Sequence, residues 1–129
     1  MVIYRLTIYR LQIQRNSIQG VDMTDQNITK YLPLSEATFY IMLSLVEPLH
    51  GYAVMQKVES ISGGTVSIGP GTLYGAFTTL EKEKLISMVR EEERRKSYLL
   101  TPRGREVLKE QISRLEIMTR NGQTVQSQL

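Results

Sequence analysis

Residues 68–86 read IGPGTLYGAFTTLEKEKLI, and this stretch decides the fold of the chain. Pro70 suits the first position of a helix, because its missing N–H costs nothing there. Leu73, Phe77 and Leu80 follow with helical spacing, so they share one apolar face. At about 100° per residue, the opposite face carries small, polar and basic residues: Gly71, Gly75, Thr78 and Lys82.

The small polar face of this helix would let a large partner come close to the backbone. The major groove of DNA is wide enough to admit such a helix. The alternative is an ordinary surface helix without a partner. In that case Gly71 and Gly75 would only destabilise the helix, by about 1 kcal/mol each relative to alanine. Two such residues on one outward face favour a functional use.

Composition limits the classes of protein to consider. The chain has 129 residues, enough for one domain, and contains no cysteine, which excludes a disulfide framework, thiolate zinc sites and thiol catalysis. No apolar run reaches the ~18 residues of a membrane span. We therefore expect a cytoplasmic protein with no membrane association.

The distribution of charge says more than the net charge of +3. Residues 1–22 hold three arginines and one aspartate, so the remaining chain is nearly neutral and the basic isoelectric point is weak evidence for nucleic-acid binding. A local cluster without any acid is better evidence: Arg94, Arg95, Lys96, Arg103 and Arg105.

Nothing in the sequence predicts catalysis or a cofactor. His50 is the single histidine, and with no cysteine beside it, it cannot form a transition-metal site by itself. The carboxylates are scattered over polar faces, and no nucleophile–base pair, phosphate loop or paired-acid pattern is present. We expect no enzyme, no metal and no cofactor.

Two helices precede the central stretch. Ser35 is a good N-cap for a helix over residues 36–46. A second helix is predicted from His50 to about Ile61, ended by the glycines at 63–64. Its apolar residues Tyr52, Met55 and Val58 share a spacing of three, with Val54 beside them.

The remaining elements complete a recognisable order. Residues 65–68 read as a short strand, and residues 85–89 and 97–100 as two strands of a hairpin with a charged tip. Thr101 is an N-cap with Pro102 at the first helical position, so a last helix begins there. Helix, helix, short strand, helix, hairpin and helix make a winged helix-turn-helix, a mainly α fold with a small β-hairpin.

The last helix carries an apolar stripe with spacings of four and three residues: Leu108, Ile112, Leu115 and Met118. This stripe is too long for a small winged domain to cover, so we predict that it pairs two subunits. We expect a winged-helix DNA-binding domain over residues 34–101, a dimerisation helix over 102–120 and a frayed tail over 121–129.

Residues 1–33 are predicted to be an N-terminal extension outside the fold. Residues 1–22 are rich in β-forming residues, but their alternation slips phase near Ile8 and Tyr9. They lack the apolar core and cleavage site of a secretory signal. A basic arm that lies along DNA, and an extra strand or helix that packs on the body, are the alternatives.

With these elements in place, the sequence resembles the PadR family of transcriptional regulators over about residues 34–118. The HGY element at 50–52 and the PGTLY element at 70–74 are specific together, and either alone would be weak. Further matching segments are 34–45, 80–81, 85–86, 94–98 and 100–105.

The resemblance implies a homodimeric DNA-binding repressor that binds a palindromic operator. It places a DNA contact at the Tyr74 hydroxyl, for which half-buried core is the alternative. It also implies that His50 helps to start the second helix. The expected DNA-binding residues are Gly71, Thr72, Tyr74, Gly75, Thr78, Thr79, Arg94, Arg95 and Lys96.

Many family members respond to small molecules, so release by an effector is a further expectation. Two departures from the family pattern matter: the 22 leading residues have no recognised counterpart, and the C-terminal part is short. The chain also has no tryptophan for a stacked effector pocket. The rival hypothesis is a winged helix that binds proteins and has no specific DNA site. The charge run at 94–96 would then be only a solvated tip, next to the opposing glutamates 91–93.

Overall fold

The computed structural model describes residues 28–129, which form four α-helices and a three-stranded antiparallel sheet. The predictions for residues 1–27 lie outside the described residues. The helices are α1 (Glu36–Ser44), α2 (Gly51–Ile61), α3 (Pro70–Lys82) and α4 (Pro102–Gln126). The strands are β1 (Leu49–His50), β2 (Ile86–Glu92) and β3 (Arg95–Leu100), and a 3-10 turn at Thr29–Tyr31 precedes α1.

The sheet runs in the order β1-β3-β2, with β3 in the centre. The winged-helix architecture is confirmed, but the position predicted for the short strand is wrong. The strand is β1, where Leu49 pairs with Tyr98, and residues 65–68 form no strand. At Val66 the backbone N–H instead donates to the Ser62 hydroxyl at 3.1 Å, which ties this link back to the end of α2.

Side-chain caps begin three of the helices as the sequence predicts. The Ser35 hydroxyl accepts from Thr38 N–H at 3.1 Å, and His50 Nδ1 accepts from Ala53 N–H at 3.3 Å. The Thr101 hydroxyl accepts from Gly104 N–H at 3.0 Å. Each cap satisfies one of the donors that a helix start leaves without a partner.

Helix α1 ends at Ser44, two positions before the predicted end. The cause is tertiary, because the carbonyl of Leu45 accepts a hydrogen bond from Leu100 N–H of β3 at 2.9 Å. The core lies between the three N-terminal helices, the sheet and the first half of α4. Leu73, Phe77 and Leu80 are all buried there, as the spacing in α3 predicts.

Helix α4 begins at Pro102 as predicted, but the burial of Leu108 and the C-terminal end differ from the prediction. Leu108 is only 6% exposed and belongs to the core of its own chain, which corrects its assignment to a subunit interface. It is buried because the first turns of α4 pack on α1 and β3. The helix continues to Gln126, so the segment expected to fray from residue 121 is mostly helical.

Gly104 is the closest contact of α4 with the body. A Cβ at this position would overlap the carbonyl oxygen of Leu85, a backbone atom that also accepts from Thr101 N–H at 3.0 Å. No side chain fits there without moving the helix away from the start of β2. The glycine is therefore required by packing.

Residues 28–33 are part of the fold, which corrects the placement of the whole segment 1–33 outside it. Ile28 is 2% exposed in the core, and Tyr31 and Leu32 pack against the same cluster. These side chains cover apolar surface that would otherwise face water. Because the segment is polar overall, its sequence did not predict these few apolar contacts.

Lys84 occupies a backbone conformation that favours glycine, and this leads to a stability prediction. After α3, Leu85 N–H donates to Leu80 O and Lys84 N–H to Glu81 O, with Lys84 at a φ of 60°. This is a Schellman motif with lysine at the left-handed position. We expect Lys84→Gly to raise the free energy of unfolding by about 0.5–1 kcal/mol, measured by urea denaturation.

The end of α2 supplies the matched control. The same motif occurs there with Gly63 at a φ of 62°, and nothing lies within 4 Å of a Cβ added to it. Gly63→Lys should therefore lower stability through the backbone alone. If both substitutions shift the urea midpoint in the same direction, left-handed strain does not control these helix ends.

Candidate nucleic-acid interface

The outward face of α3 is uncovered. All six residues predicted on this helix are exposed: Gly71, Thr72, Tyr74, Gly75, Thr78 and Thr79. A Cβ added at Gly71 or Gly75 would meet no other atom within 4 Å. The backbone of α3 is thus accessible at these two positions, while its opposite face is anchored in the core.

The threonines of this face hold their hydroxyl groups against the helix. Thr78 donates to Tyr74 O at 2.8 Å, and Thr79 donates to Gly75 O at 3.2 Å. A hydroxyl has one donor and two acceptor lone pairs. In this rotamer each threonine can still accept a hydrogen bond from outside and presents its methyl group for apolar contact.

Tyr74 is 54% exposed, and its ring lies over the start of α2. A Cβ at Gly51 would come within 2.9 Å of the Tyr74 hydroxyl oxygen, so glycine makes room for this ring. The ring also meets Phe77 edge-on, with centroids 6.2 Å apart. The ring is therefore packed on one side and exposed on the other. A contact between Tyr74 and DNA stays a prediction.

Tyr52 is an exposed aromatic residue on α2. It is 61% exposed, and the buried residues of this helix are Gly51, Val54 and Val58. Of the three residues that share a spacing of three in the sequence, only Val58 is buried, whereas 51, 54 and 58 follow the helical period more closely. Gly51 has no apolar side chain, so its burial could not be predicted from the sequence.

The hairpin of β2 and β3 presents the other predicted contacts. Its loop consists of Glu93 and Arg94, with φ angles of 50° and 66°. Two consecutive left-handed residues are typical of a type I′ turn, which favours asparagine and glycine. Arg94, Arg95 and Lys96 are all exposed at this tip.

The glutamates of the hairpin lie directly across from its basic residues. Glu92 pairs with Arg95 and Glu91 with Lys96 in the register of the strands. Arg90 and Glu92 form an ion pair of 3.8 Å with both side chains exposed, which contributes little to stability. The tip therefore has mixed charge, and its basic residues run from Arg94 in the turn into the start of β3.

The five basic residues that form an acid-free cluster in the sequence separate into two groups in the structure. Arg103 donates to the Tyr31 hydroxyl at 2.8 Å, and Arg105 donates to Val46 O at 3.1 Å. Both side chains hold the body of the domain together. Of the five basic residues in the cluster, the three at the hairpin tip are therefore the ones available to contact a binding partner.

An aromatic contact joins the hairpin to α3. The rings of Phe77 and Tyr98 have centroids 4.8 Å apart. Burial raises the pKa of Tyr98 above its usual value, and the nearby carboxylates Glu81 and Glu91 act in the same direction. The Tyr98 hydroxyl therefore stays protonated. The contact between the Phe77 and Tyr98 rings holds the hairpin at a defined position beside α3.

The second half of α4 carries an apolar stripe outside the core. Ile112 and Met118 are 37% and 64% exposed, and Leu115 is half-buried. We call these three residues the outer α4 stripe. Val125 continues it at 46% exposure, and Ile117 lies on another side of the helix.

Residues 28–129 contain neither a cluster of metal-binding side chains nor a membrane-spanning helix. This part of the chain contains no group of three or more acidic or histidine side chains that could hold a metal ion. None of its helices has the length and apolar content needed to cross a bilayer.

Known proteins resemble this chain over the same elements. Residues 41–110 match the Transcriptional regulator PadR-like family. The segment is 40% identical over 75 residues to an uncharacterized 37.1 kDa protein in transposon TN4556 of Streptomyces fradiae, covering 57% of this chain and 21% of that protein. It is 29% identical over 69 residues to the transcriptional regulator YqjI of Escherichia coli, covering 54% of this chain and 33% of YqjI.

The chain thus spans a third or less of the length of these relatives. Solved structures match it over most of their length. A transcriptional regulator from Clostridium thermocellum is 26% identical with a TM-score of 0.59, covering 75% of this chain and 94% of that one. A PadR-like transcription factor from Bacteroides fragilis is 25% identical with a TM-score of 0.61, covering 78% and 99%. With the family pattern extending over more than half of its length, this chain belongs to the PadR-like family of transcriptional regulators.

Proposed function

We propose that this protein is a homodimeric repressor that binds a palindromic operator in double-stranded DNA. The observation that carries the proposal is the uncovered face of α3, where Gly71 and Gly75 leave the backbone open. A helix anchored by three buried side chains and bare on the other side can enter a major groove without rearrangement.

In the proposed complex, α3 lies in the major groove. Thr72, Thr78 and Thr79 face bases and phosphates, and the hydroxyl of Tyr74 donates to a phosphate. The hairpin lies on the flanking backbone or minor groove, where arginine is favoured in narrow A·T segments. Glu93 and Arg94 occupy left-handed positions at which asparagine and glycine would be more stable. Strain of this kind at the tip favours a role for these side chains.

The outer α4 stripe supplies the subunit contact. The three apolar residues of this stripe are only partly covered by their own domain, and pairing with a second copy would remove the rest of their surface from water. A two-fold axis would set two α3 helices about one DNA turn apart, roughly 34–36 Å. The regulator acts in the cytoplasm and catalyses no reaction.

A protein-interaction module remains the competing function, and the mixed charge of the hairpin favours it. The deciding experiment measures retention on random duplex DNA as a function of salt, followed by selection of an operator from a randomised duplex pool. We expect salt-dependent retention and a selected sequence with two-fold symmetry. Equal affinity for all sequences, or no retention at low salt, would favour the protein-interaction function.

Replacement of Arg94, Arg95 and Lys96 by alanine tests the hairpin. The triple variant should bind all DNA sequences more weakly, because phosphate contacts carry little sequence information. The slope of log affinity against log salt should become shallower by up to about 0.9 for each lost contact. Fluorescence anisotropy over a salt series measures both quantities.

A triple variant on α4 controls for net charge. Lys109, Arg114 and Arg120 are exposed there, and their replacement by alanine removes the same charge far from the hairpin. This variant should keep nearly the parent slope. If the two variants have equal slopes, the hairpin does not lie on DNA.

A further inference from the structure

We propose that Tyr31 is a positioning residue that fixes the orientation of the DNA-reading helix α3 relative to helix α4, and so sets the spacing of half-sites that the dimer accepts. The proposal rests on the proposed function, in which α3 reads DNA and α4 pairs the subunits. Tyr31 lies before α1 and outside the segment that matches the family.

The end of α3 and the start of α4 also meet at the backbone, where Thr101 N–H donates to Leu85 O at 3.0 Å and the Thr101 hydroxyl donates to Lys84 O at 2.6 Å. Elsewhere the two helices pack on different elements. Helix α3 packs mainly against α2 and β2, whereas α4 packs mainly against α1 and β3. A rotation of one helix against the other would move the two α3 helices of a dimer closer together or farther apart. A side chain that joins α3 directly to α4 would oppose such a rotation.

Tyr31 makes this connection through its hydroxyl group. The hydroxyl donates to Glu83 Oε2 at 2.8 Å and accepts from Arg103 Nη2 at 2.8 Å. Glu83 is the C-cap residue of α3, and Arg103 lies in the first turn of α4. Because each bond has one charged partner, both are of the stronger, directional kind.

The ring of Tyr31 is held in place as well. The Arg103 guanidinium lies over it at 5.3 Å from the centroid, and Lys30 approaches it at 5.1 Å. Cations at these distances are attracted to the face of an aromatic ring. Tyr31 is therefore fixed by its ring and by its hydroxyl.

The segment that carries Tyr31 is anchored at both ends. Ile28 is 2% exposed in the core, before Tyr31. After it, Leu34 N–H donates to Oε1 of Gln111 at 2.9 Å, and Gln111 is 5% exposed on the core face of α4. A buried amide with this partner is costly to displace, so the segment resists movement of α4.

The ordinary alternative is that Tyr31 only adds stability, and the test must separate the two roles. Tyr31→Phe removes both hydrogen bonds and keeps the ring. Tyr40→Phe in α1 is the matched control, since it removes a hydroxyl from another half-buried tyrosine. Glu83→Gln is the conservative variant, because its side-chain oxygen can still accept from the tyrosine.

Distances between subunits provide the first measurement. The chain has no cysteine, so Thr72→Cys places a single spin label on the exposed start of α3. Pulsed electron paramagnetic resonance of the free dimer then reports the separation of the two α3 helices. We expect one narrow distance in the parent, Tyr40→Phe and Glu83→Gln, and a broadened or shifted distance in Tyr31→Phe.

Half-site spacing provides the second measurement. The probes are the operator selected from the random pool and the same duplex with one base pair inserted between its half-sites. In unlabelled protein, Tyr31→Phe should reduce the preference for the selected spacing roughly fivefold, the scale of one or two hydrogen bonds. Affinity for random DNA should be unchanged.

The outcomes separate this inference from the function on which it rests. If the labelled parent protein shows no distance between two labels, the proposed dimer is wrong, and this inference is wrong with it. If the parent is a dimer but Tyr31→Phe has the same label distance and the same preference for half-site spacing, only the role of Tyr31 is overturned. A lower melting temperature with both of these unchanged also overturns it, since Tyr31 would then only stabilise the fold.

Discussion

Gly75→Glu should abolish operator binding while the protein stays folded. The new side chain points into open space, so the fold can accept it. In the proposed complex, it places bulk and negative charge against the phosphates. A like-charge contact of this kind costs several kcal/mol, and each 1.4 kcal/mol is a factor of ten in affinity. We expect operator affinity to fall by at least about a hundredfold in an anisotropy titration.

The stability of this variant should not fall with its affinity. Glycine is a poor helix residue, so glutamate should raise the free energy of unfolding by about 0.5 kcal/mol. Ser113→Glu introduces the same charge on an exposed part of α4 and should bind the operator like the parent. If Gly75→Glu binds as well as Ser113→Glu, this face of α3 is not the DNA surface.

Changing both Ile112 and Leu115 to aspartate should give monomers. Burying a leucine or isoleucine contributes about 1.5–3 kcal/mol. Ile112 is 37% exposed and Leu115 is half-buried in its own subunit, so pairing gains only part of this energy from each. The two substitutions also place four carboxylates in the interface, where burying unpaired charge opposes association. A monomer contacts one half-site only, so nearly all operator affinity should be lost while weak non-specific binding remains. Sedimentation velocity and anisotropy measure the two effects.

Ile117→Asp is the matched control for the dimer prediction. Ile117 is 50% exposed and lies on α4 outside the outer stripe. This variant introduces the same side chain on the same helix and should remain dimeric. A double variant that still sediments as a dimer would place the subunit contact elsewhere, and α1 would be the next surface to test.

Residue-level patterns alone were sufficient for most of the architecture. Pro70, Thr101 and Pro102 mark helix starts through their own backbone chemistry, and the spacing of the apolar residues in α3 identifies its buried face. The hairpin followed from two apolar runs around a charged tip. These features are local, because a cap or a helical period depends on residues a few positions apart.

Contacts between distant residues decided the remainder. Strand β1 exists because Leu49 pairs with Tyr98, and α1 ends early because the Leu45 carbonyl bonds to Leu100. The packing of α4 on the body buries Leu108, which divides the apolar stripe into a core part and an outer part. No local pattern distinguishes these two parts.

The candidate site shows the same division between local and tertiary causes. The small residues on the outward face of α3 could be identified from helical spacing, because that face depends only on the period of one helix. Which basic residues are available to DNA could not be identified in this way. Arg103 donates to the hydroxyl of Tyr31, and Arg105 donates to the carbonyl of Val46, and both partners are distant in sequence. Tyr31 acquires its two charged partners only where the ends of α3 and α4 meet, and that meeting is a property of the tertiary structure.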